Sequence, residues 1–141
     1  MIGKTIDQIN VNEEASWQKI ITQSDVENFG EIIEDYNPAH YDETYEASTI
    51  FKKRISHGML VGSLFSKLFG LTLPGKGTIY VKQSLKFTKP VYFKDVITAT
   101  VRVKEIIKDR NRVTFECVAT NQNGEIVVSG EAEVMPPKKE V

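Results

Sequence analysis

The chain has 141 residues, enough for a single domain with a sizeable buried core. Its 18 Lys and Arg against 19 Asp and Glu give a net charge of -1, which lacks the basic footprint of a nucleic-acid-binding domain. One cysteine, Cys117, excludes an internal disulfide framework and a multi-cysteine zinc site, and it fits a reducing compartment. No apolar run approaches the ~20 residues that cross a bilayer, and the N-terminus lacks the apolar stretch of a signal peptide. The expectation is one soluble, cytoplasmic domain over residues 1–141, with no membrane or nucleic-acid partner.

In chain order, Ala15 to Thr22 suits a short first strand carrying Trp17, Ile20 and Ile21. Ser24-Asp25-Val26-Glu27 has the spacing of a capping box, serine at the N-cap and glutamate three residues later. The helix it opens puts Val26, Phe29 and Ile33 on one face and must end before Pro38. Glu34 and Asp35 therefore fall near its C-terminus, where the macrodipole disfavours anions and stability alone would favour lysine.

The stretch Asp35-Tyr36-Asn37-Pro38-Ala39-His40 holds a carboxylate and one of two histidines on a backbone stiffened by proline. Two proton-transfer groups so placed form a candidate acid/base pair. The residues alone favour the plainer reading, a polar turn in which His40 is simply packed. Beyond it, Asp42 can cap a short helical turn over Glu43 to Ser48, and Lys52-Lys53-Arg54 reads as a solvated basic loop.

Between His57 and Leu73 the chain is apolar apart from Lys67. With Ser56 available as N-cap, this spacing predicts a helix buried nearly all round, wrapped by the rest of the protein. The first N–H groups of such a helix, at Gly58, could receive a developing oxyanion. Gly58 could instead only permit close packing. His57 is given no catalytic role. Gly70 to Gly77 imitates a phosphate-binding loop, but Gly77 stands where Ser or Thr is needed, so nucleotide hydrolysis is rejected.

After Pro74 the pattern alternates. Ile79, Val81, Leu85 and Phe87 share one face; Ile97 to Val103, Val113 to Ala119 and Ile126 to Val134 repeat it. Turns fall at Lys89-Pro90, Lys108 to Asn111 and Asn123-Gly124. Cys117 lies in the inward register and reads as core. The fold class is α+β: a five-stranded antiparallel sheet covered by the 57–72 helix.

Asp35-Tyr36-Asn37-Pro38-Ala39-His40 followed by His57-Gly58-Met59-Leu60 resembles the D-x-N-P-x-H and H-G-M signatures of MaoC-like hydratases. Leu64-Phe65-Ser66 and Leu73 to Tyr80 are similar to the short, single-domain (R)-specific enoyl-CoA hydratases, and the likeness runs from Val26 to Val134. The resemblance implies a hot-dog fold, a sheet wrapped around a long central helix with the Asp35–His40 segment overhanging it, and an edge-to-edge homodimer. It implies reversible syn hydration of a trans-2-enoyl-CoA thioester with no metal or redox cofactor. Asp35 and His40 would be catalytic, the Gly58 N–H the oxyanion donor, and Asn37 a turn-shaping or substrate-contacting residue. Ser66 and Phe69, three apart on the helix, would line the acyl pocket; Phe69 as core filling is the equal alternative. Lys82, Lys86 and Lys94 could meet the CoA phosphates. The rival readings are a hot-dog thioesterase, a dehydratase acting on acyl carrier protein through a rim of Lys52, Lys53, Arg54 and Lys67, and an acyl-CoA-binding regulator.

Overall fold

The computed structural model of the chain describes residues 1–41 and 54–139. The expectations for Asp42 to Ser48, Lys52 and Lys53 lie outside the described residues. Strand β1 (Glu14–Ile20) is followed by helix α1 (Gln23–Ile33) and the single turn α2 (Pro38–Tyr41). Two helical segments, α3 (Gly58–Gly62) and α4 (Leu64–Leu71), lead into β2 (Ile79–Gln83), β3 (Lys86–Phe87), β4 (Val96–Ile107), β5 (Arg112–Thr120) and β6 (Ile126–Met135).

The sheet is antiparallel with order β1-β4-β5-β6-β2, and β3 also pairs with β6. Alternation drives it: Ile97, Ala99, Val101 and Val103 of β4, and Val113, Phe115 and Ala119 of β5, are fully buried, each separated by a residue facing outward. Cys117 lies in the same inward register, and burial pushes its thiol up to about 12, as a core residue should be. Gly124 takes a left-handed φ of 74° in the turn that sequence placed there.

Several boundaries differ from expectation, each for a local reason. The expected strand over 79–87 is broken in two, giving six strands. Ser84 lies at the break, and its hydroxyl accepts the Glu131 N–H at 3.0 Å, so a side chain stands where a ladder carbonyl would. Gly130 is required opposite it, because a Cβ there would come 1.9 Å from the Ser84 carbonyl oxygen. Ile126 is half exposed while Val127 and Val128 are both buried, since the β5–β6 register shifts between Ala119 and Thr120.

The cap of α1 is Thr22, not Ser24. The Thr22 hydroxyl accepts the Asp25 N–H and the Asp25 carboxylate accepts the Thr22 N–H, both at 3.0 Å. Val26 is fully buried and Phe29 packs on the core, but Ile33 is 47% exposed because the helix ends there.

The central helix is segmented at Ser63, whose hydroxyl donates to the Leu60 carbonyl at 2.6 Å. Leu60, Val61, Leu64, Phe65, Leu68 and Phe69 are buried against the sheet, whereas Met59 and Leu71 are more than half exposed. It therefore buries a broad face, not its whole circumference. Trp17 of β1 ties α4 to the sheet: its indole N–H donates to the Leu64 carbonyl at 2.9 Å, and the Lys67 ammonium lies 4.0 Å above its ring. His57, not Ser56, is the N-cap of α3; the Ser56 hydroxyl donates to the His57 carbonyl at 3.1 Å. No helix among the described residues is long and apolar enough to cross a membrane.

Candidate active site

The end of α1 sets the first group. Glu34 adopts a left-handed φ of 57°, and the Asp35 N–H closes the helix onto the Gly30 carbonyl at 3.0 Å. The chain then turns through a run of local bonds. The Asp35 carboxylate accepts the Asn37 N–H at 3.1 Å, and the Asn37 side-chain oxygen accepts the Ala39 N–H at 3.1 Å. Asn37 thus caps α2, with Pro38 preorganised at its first position. Its role in the fold is to shape the turn that carries His40.

His40 is held from below. Its Nδ1 meets the Ile55 carbonyl at 2.7 Å, and a carbonyl only accepts, so Nδ1 carries the hydrogen and Nε2 keeps the lone pair in the neutral ring. The Ile55 N–H in turn donates to the Ala39 carbonyl at 3.0 Å, and the Ser56 N–H to Val91 at 2.7 Å. Residues 55–56 therefore fasten the Asp35–His40 turn to the loop before β4.

His57 completes the group. It is 3% exposed, stacked on His40 with ring centroids 3.8 Å apart and planes inclined by 27°. Its Nε2 lies 3.4 Å from the Asp35 backbone carbonyl and 3.8 Å from the Asp35 carboxylate. Phe29 closes the other side of the ring at 5.2 Å. Burial, followed by the charge of His40, holds the His57 imidazole below its ordinary range, so it is neutral. Read from sequence, His57 has no catalytic role; its adjacency to Asp35 and His40 depends on the tertiary approach of residues 55–58 to the α1–α2 turn. The single available signal was that the other histidine of the chain opened the apolar helix.

Gly58 follows at the first position of α3. A Cβ there would lie 2.7 Å from Cδ1 of Phe87, so glycine lets the ring pack closely on the start of the helix. That packing also forms the wall of a cavity of about 450 Å³ lined by Ile55, Ser56, Gly58, Met59, Phe87 and Val91. Phe87, read from sequence as inward-facing, is half exposed because it borders this space. A second, more polar cavity of about 550 Å³ shares Lys89 and Pro90 with the first and reaches Arg54, Tyr92 and Gln122.

The expected acyl-pocket pair is not brought together. Phe69 is 2% exposed, packed edge-on to Tyr80 at 5.2 Å and Phe115 at 4.8 Å, while Ser66 faces solvent. Neither lines the cavity beside Gly58. Lys82, Lys86 and Lys94 are exposed, and Arg54 lies 5.0 Å above the Phe93 ring.

Asp35, His40 and His57 each offer a ligand atom within 4.8 Å of the others and are the described residues that could surround a metal ion. The donor set fits such an ion poorly. With Nε2–H of His57 turned to a carbonyl, only the Asp35 carboxylate and Nε2 of His40 present lone pairs to the shared space. A carboxylate beside an imidazole lone pair is instead suited to holding a water and moving its proton.

The family described as MaoC like domain matches residues 6–125. An (R)-specific enoyl-CoA hydratase of Rhodospirillum rubrum is 44% identical over 133 residues, covering 94% of this chain and 92% of its own. Another (R)-specific enoyl-CoA hydratase, from Aeromonas caviae, is 41% identical over 129 residues, covering 92% and 96%. The solved structure of an unliganded R-hydratase from Pseudomonas aeruginosa has a TM-score of 0.91 at 39% identity, over 99% of this chain and 89% of that one.

Proposed function

Because the chain belongs to the MaoC-like domain family, we propose that it is an (R)-specific enoyl-CoA hydratase, a hydro-lyase adding water to trans-2-enoyl-CoA to give (R)-3-hydroxyacyl-CoA. The observation that carries this reading is the convergence of Asp35 and His40 close to an apolar cavity that borders the first residue of the central helix.

The chemistry follows from what each group can do. Water is a weak nucleophile, and C3 of the enoyl thioester accepts it only as negative charge moves onto the carbonyl oxygen. The Gly58 N–H, among the first donors of the helix and without an intrahelical acceptor, stabilises that charge. Asp35 takes a proton from the water as its oxygen bonds to C3. His40 holds the same water through Nε2 and directs a proton to C2, drawing on the proton shared with Asp35. One water is consumed, one C–O and one C–H bond form, and the double bond becomes single. Both bonds form on the face where Asp35 and His40 sit, so addition is syn.

The cavity beside Gly58 suits the thioester end of the substrate, and the continuation past Lys89 toward Arg54 suits the pantetheine arm and its phosphates. Lys82, Lys86 and Lys94 are more remote candidates for those phosphates. The enzyme acts as a homodimer: edge strand β2 exposes Ile79 and Val81, and Phe87 and Met59 add apolar surface beside it. It works in the cytoplasm, where its lone buried thiol is at home.

A thioesterase on the same fold would attack the carbonyl carbon and has no use for a second proton-transfer group placed for C2. Incubation with crotonyl-CoA separates the two. Loss of the enoyl absorbance without free thiol is expected; stoichiometric release of thiol would overturn the assignment. Faster turnover of the crotonyl thioester of acyl carrier protein than of crotonyl-CoA would move the reading to the carrier-protein dehydratase.

A further inference from the structure

The proton-transfer pair leaves one buried titratable group beside it without a role. His57 touches both partners, on different atoms, from an element neither belongs to. The Asp35 carboxylate is fixed at one oxygen by the Asn37 N–H, which leaves it free to swing about that bond. The His40 ring holds the Ile55 carbonyl at Nδ1, on its edge, and His57 meets its face.

We propose that His57 is the positioning residue of this site, its ring setting the plane of His40 by stacking while its Nε2–H, held on the Asp35 backbone carbonyl, fixes the end of α1 from which the carboxylate meets the same water. The inference rests on the hydratase reading of Asp35 and His40. It explains why a histidine serves where an ordinary N-cap would be serine or aspartate: His57 makes no side-chain cap bond. A phenyl ring could stack but not donate, and a carboxamide could donate but not stack. Among the described residues, the titratable groups facing His57 are Asp35, at the end of α1, and His40, on α2. Phe29 of α1 covers the remaining side with an uncharged ring. A neutral His57 can donate from Nε2 without placing a positive charge against the His40 ring.

The test compares His57→Phe, which keeps a stacking ring, with His57→Gln, which keeps a donor. Both should lower kcat on crotonyl-CoA by roughly ten- to hundredfold, the scale of an ångström-sized misplacement at a reacting centre, with KM nearly unchanged. Both should also move the acid limb of the kcat/KM profile, because each alters how Asp35 and His40 share a proton. A residue that only fills space would lower thermal stability but leave kcat per folded site and the pH limb in place; that result overturns the proposal. Asp35→Asn and His40→Ala are assayed alongside. If those two stay active, the hydratase mechanism has failed; if they are inactive while both His57 variants keep wild-type kcat, only the positioning role has failed. Imidazole nitrogen shifts of the wild-type protein decide the matter even where a variant does not fold, since the chain has two histidines. A neutral His57 carrying its hydrogen on Nε2 supports the proposal, and the opposite tautomer refutes it.

Discussion

Gly58→Ala is the substitution whose outcome the structure fixes most closely. The added Cβ would lie 2.7, 2.9 and 3.2 Å from three atoms of the Phe87 ring, against the ~3.5–4.0 Å of carbons in normal contact. The shortfall is therefore about 1 Å. Overpacking of this size costs about 1–3 kcal/mol in a rigid core. Here the ring is half exposed and can swing away, and alanine gains up to about 1 kcal/mol over glycine in helix propensity. Stability should change little. Activity should not be spared, because the displaced ring is a wall of the cavity next to the oxyanion donor. A displacement near 1 Å predicts a fall in kcat/KM on crotonyl-CoA of roughly a hundredfold. Phe87→Ala removes every atom in the clash, so adding it to Gly58→Ala should restore much of the loss, while Phe87→Ala alone should be mild. Strictly multiplicative effects of the two substitutions would refute the argument, since they would mean that Phe87 is not what makes residue 58 glycine.

Phe69→Ala should lower stability by about 3–5 kcal/mol in urea unfolding, because the ring is core between Tyr80 and Phe115. The preference between four- and eight-carbon enoyl-CoA should stay unchanged in that variant; a shifted preference would return Phe69 to the acyl pocket. His57 has a depressed pKa in the folded protein, through burial and then the charge of His40. The unfolded chain thus binds a proton there that the folded chain refuses. The stabilising contribution is complete above the unfolded value of 6.5 and is lost as pH falls through the folded value. Urea midpoints should therefore drop less between pH 8 and pH 5 in His57→Gln than in the wild type; equal drops would contradict the assignment. Ile79→Lys with Val81→Lys places two charges on edge strand β2 and should convert a sedimenting dimer to monomer, whereas an unchanged dimer would put the interface elsewhere.

Much of this architecture is written in local pattern. The inward residues of β4 and β5 are legible because a period of two holds from Ile97 to Val103 and again from Val113 to Ala119. The α1–α2 turn is legible because Pro38 and Asn37 act on their immediate neighbours. What escaped the sequence depended on contacts between distant segments or on close local competition. Thr22 with Asp25 and Ser24 with Glu27 share the same spacing; the first pair closes the box, while the Glu27 carboxylate accepts the Gln23 side-chain amide. The interruption between β2 and β3 comes from a hydroxyl taking a place in the ladder, which hydrophobic alternation does not record. His57 escaped for the most physical reason: its partners lie 17 and 22 residues away and meet it only because Ile55 bonds to α2 on both its donor and its acceptor. Ser66 and Phe69 show the converse. Helical spacing gives them neighbouring positions, yet the sheet buries one and leaves the other in solvent.

The most direct test of the central claim is the initial rate and product chirality of crotonyl-CoA hydration by the wild type, Asp35→Asn and His40→Ala. The account predicts (R)-3-hydroxybutyryl-CoA from the wild type and a loss of about a hundredfold or more in each variant. The S product, or a near-wild-type rate from either variant, would contradict it.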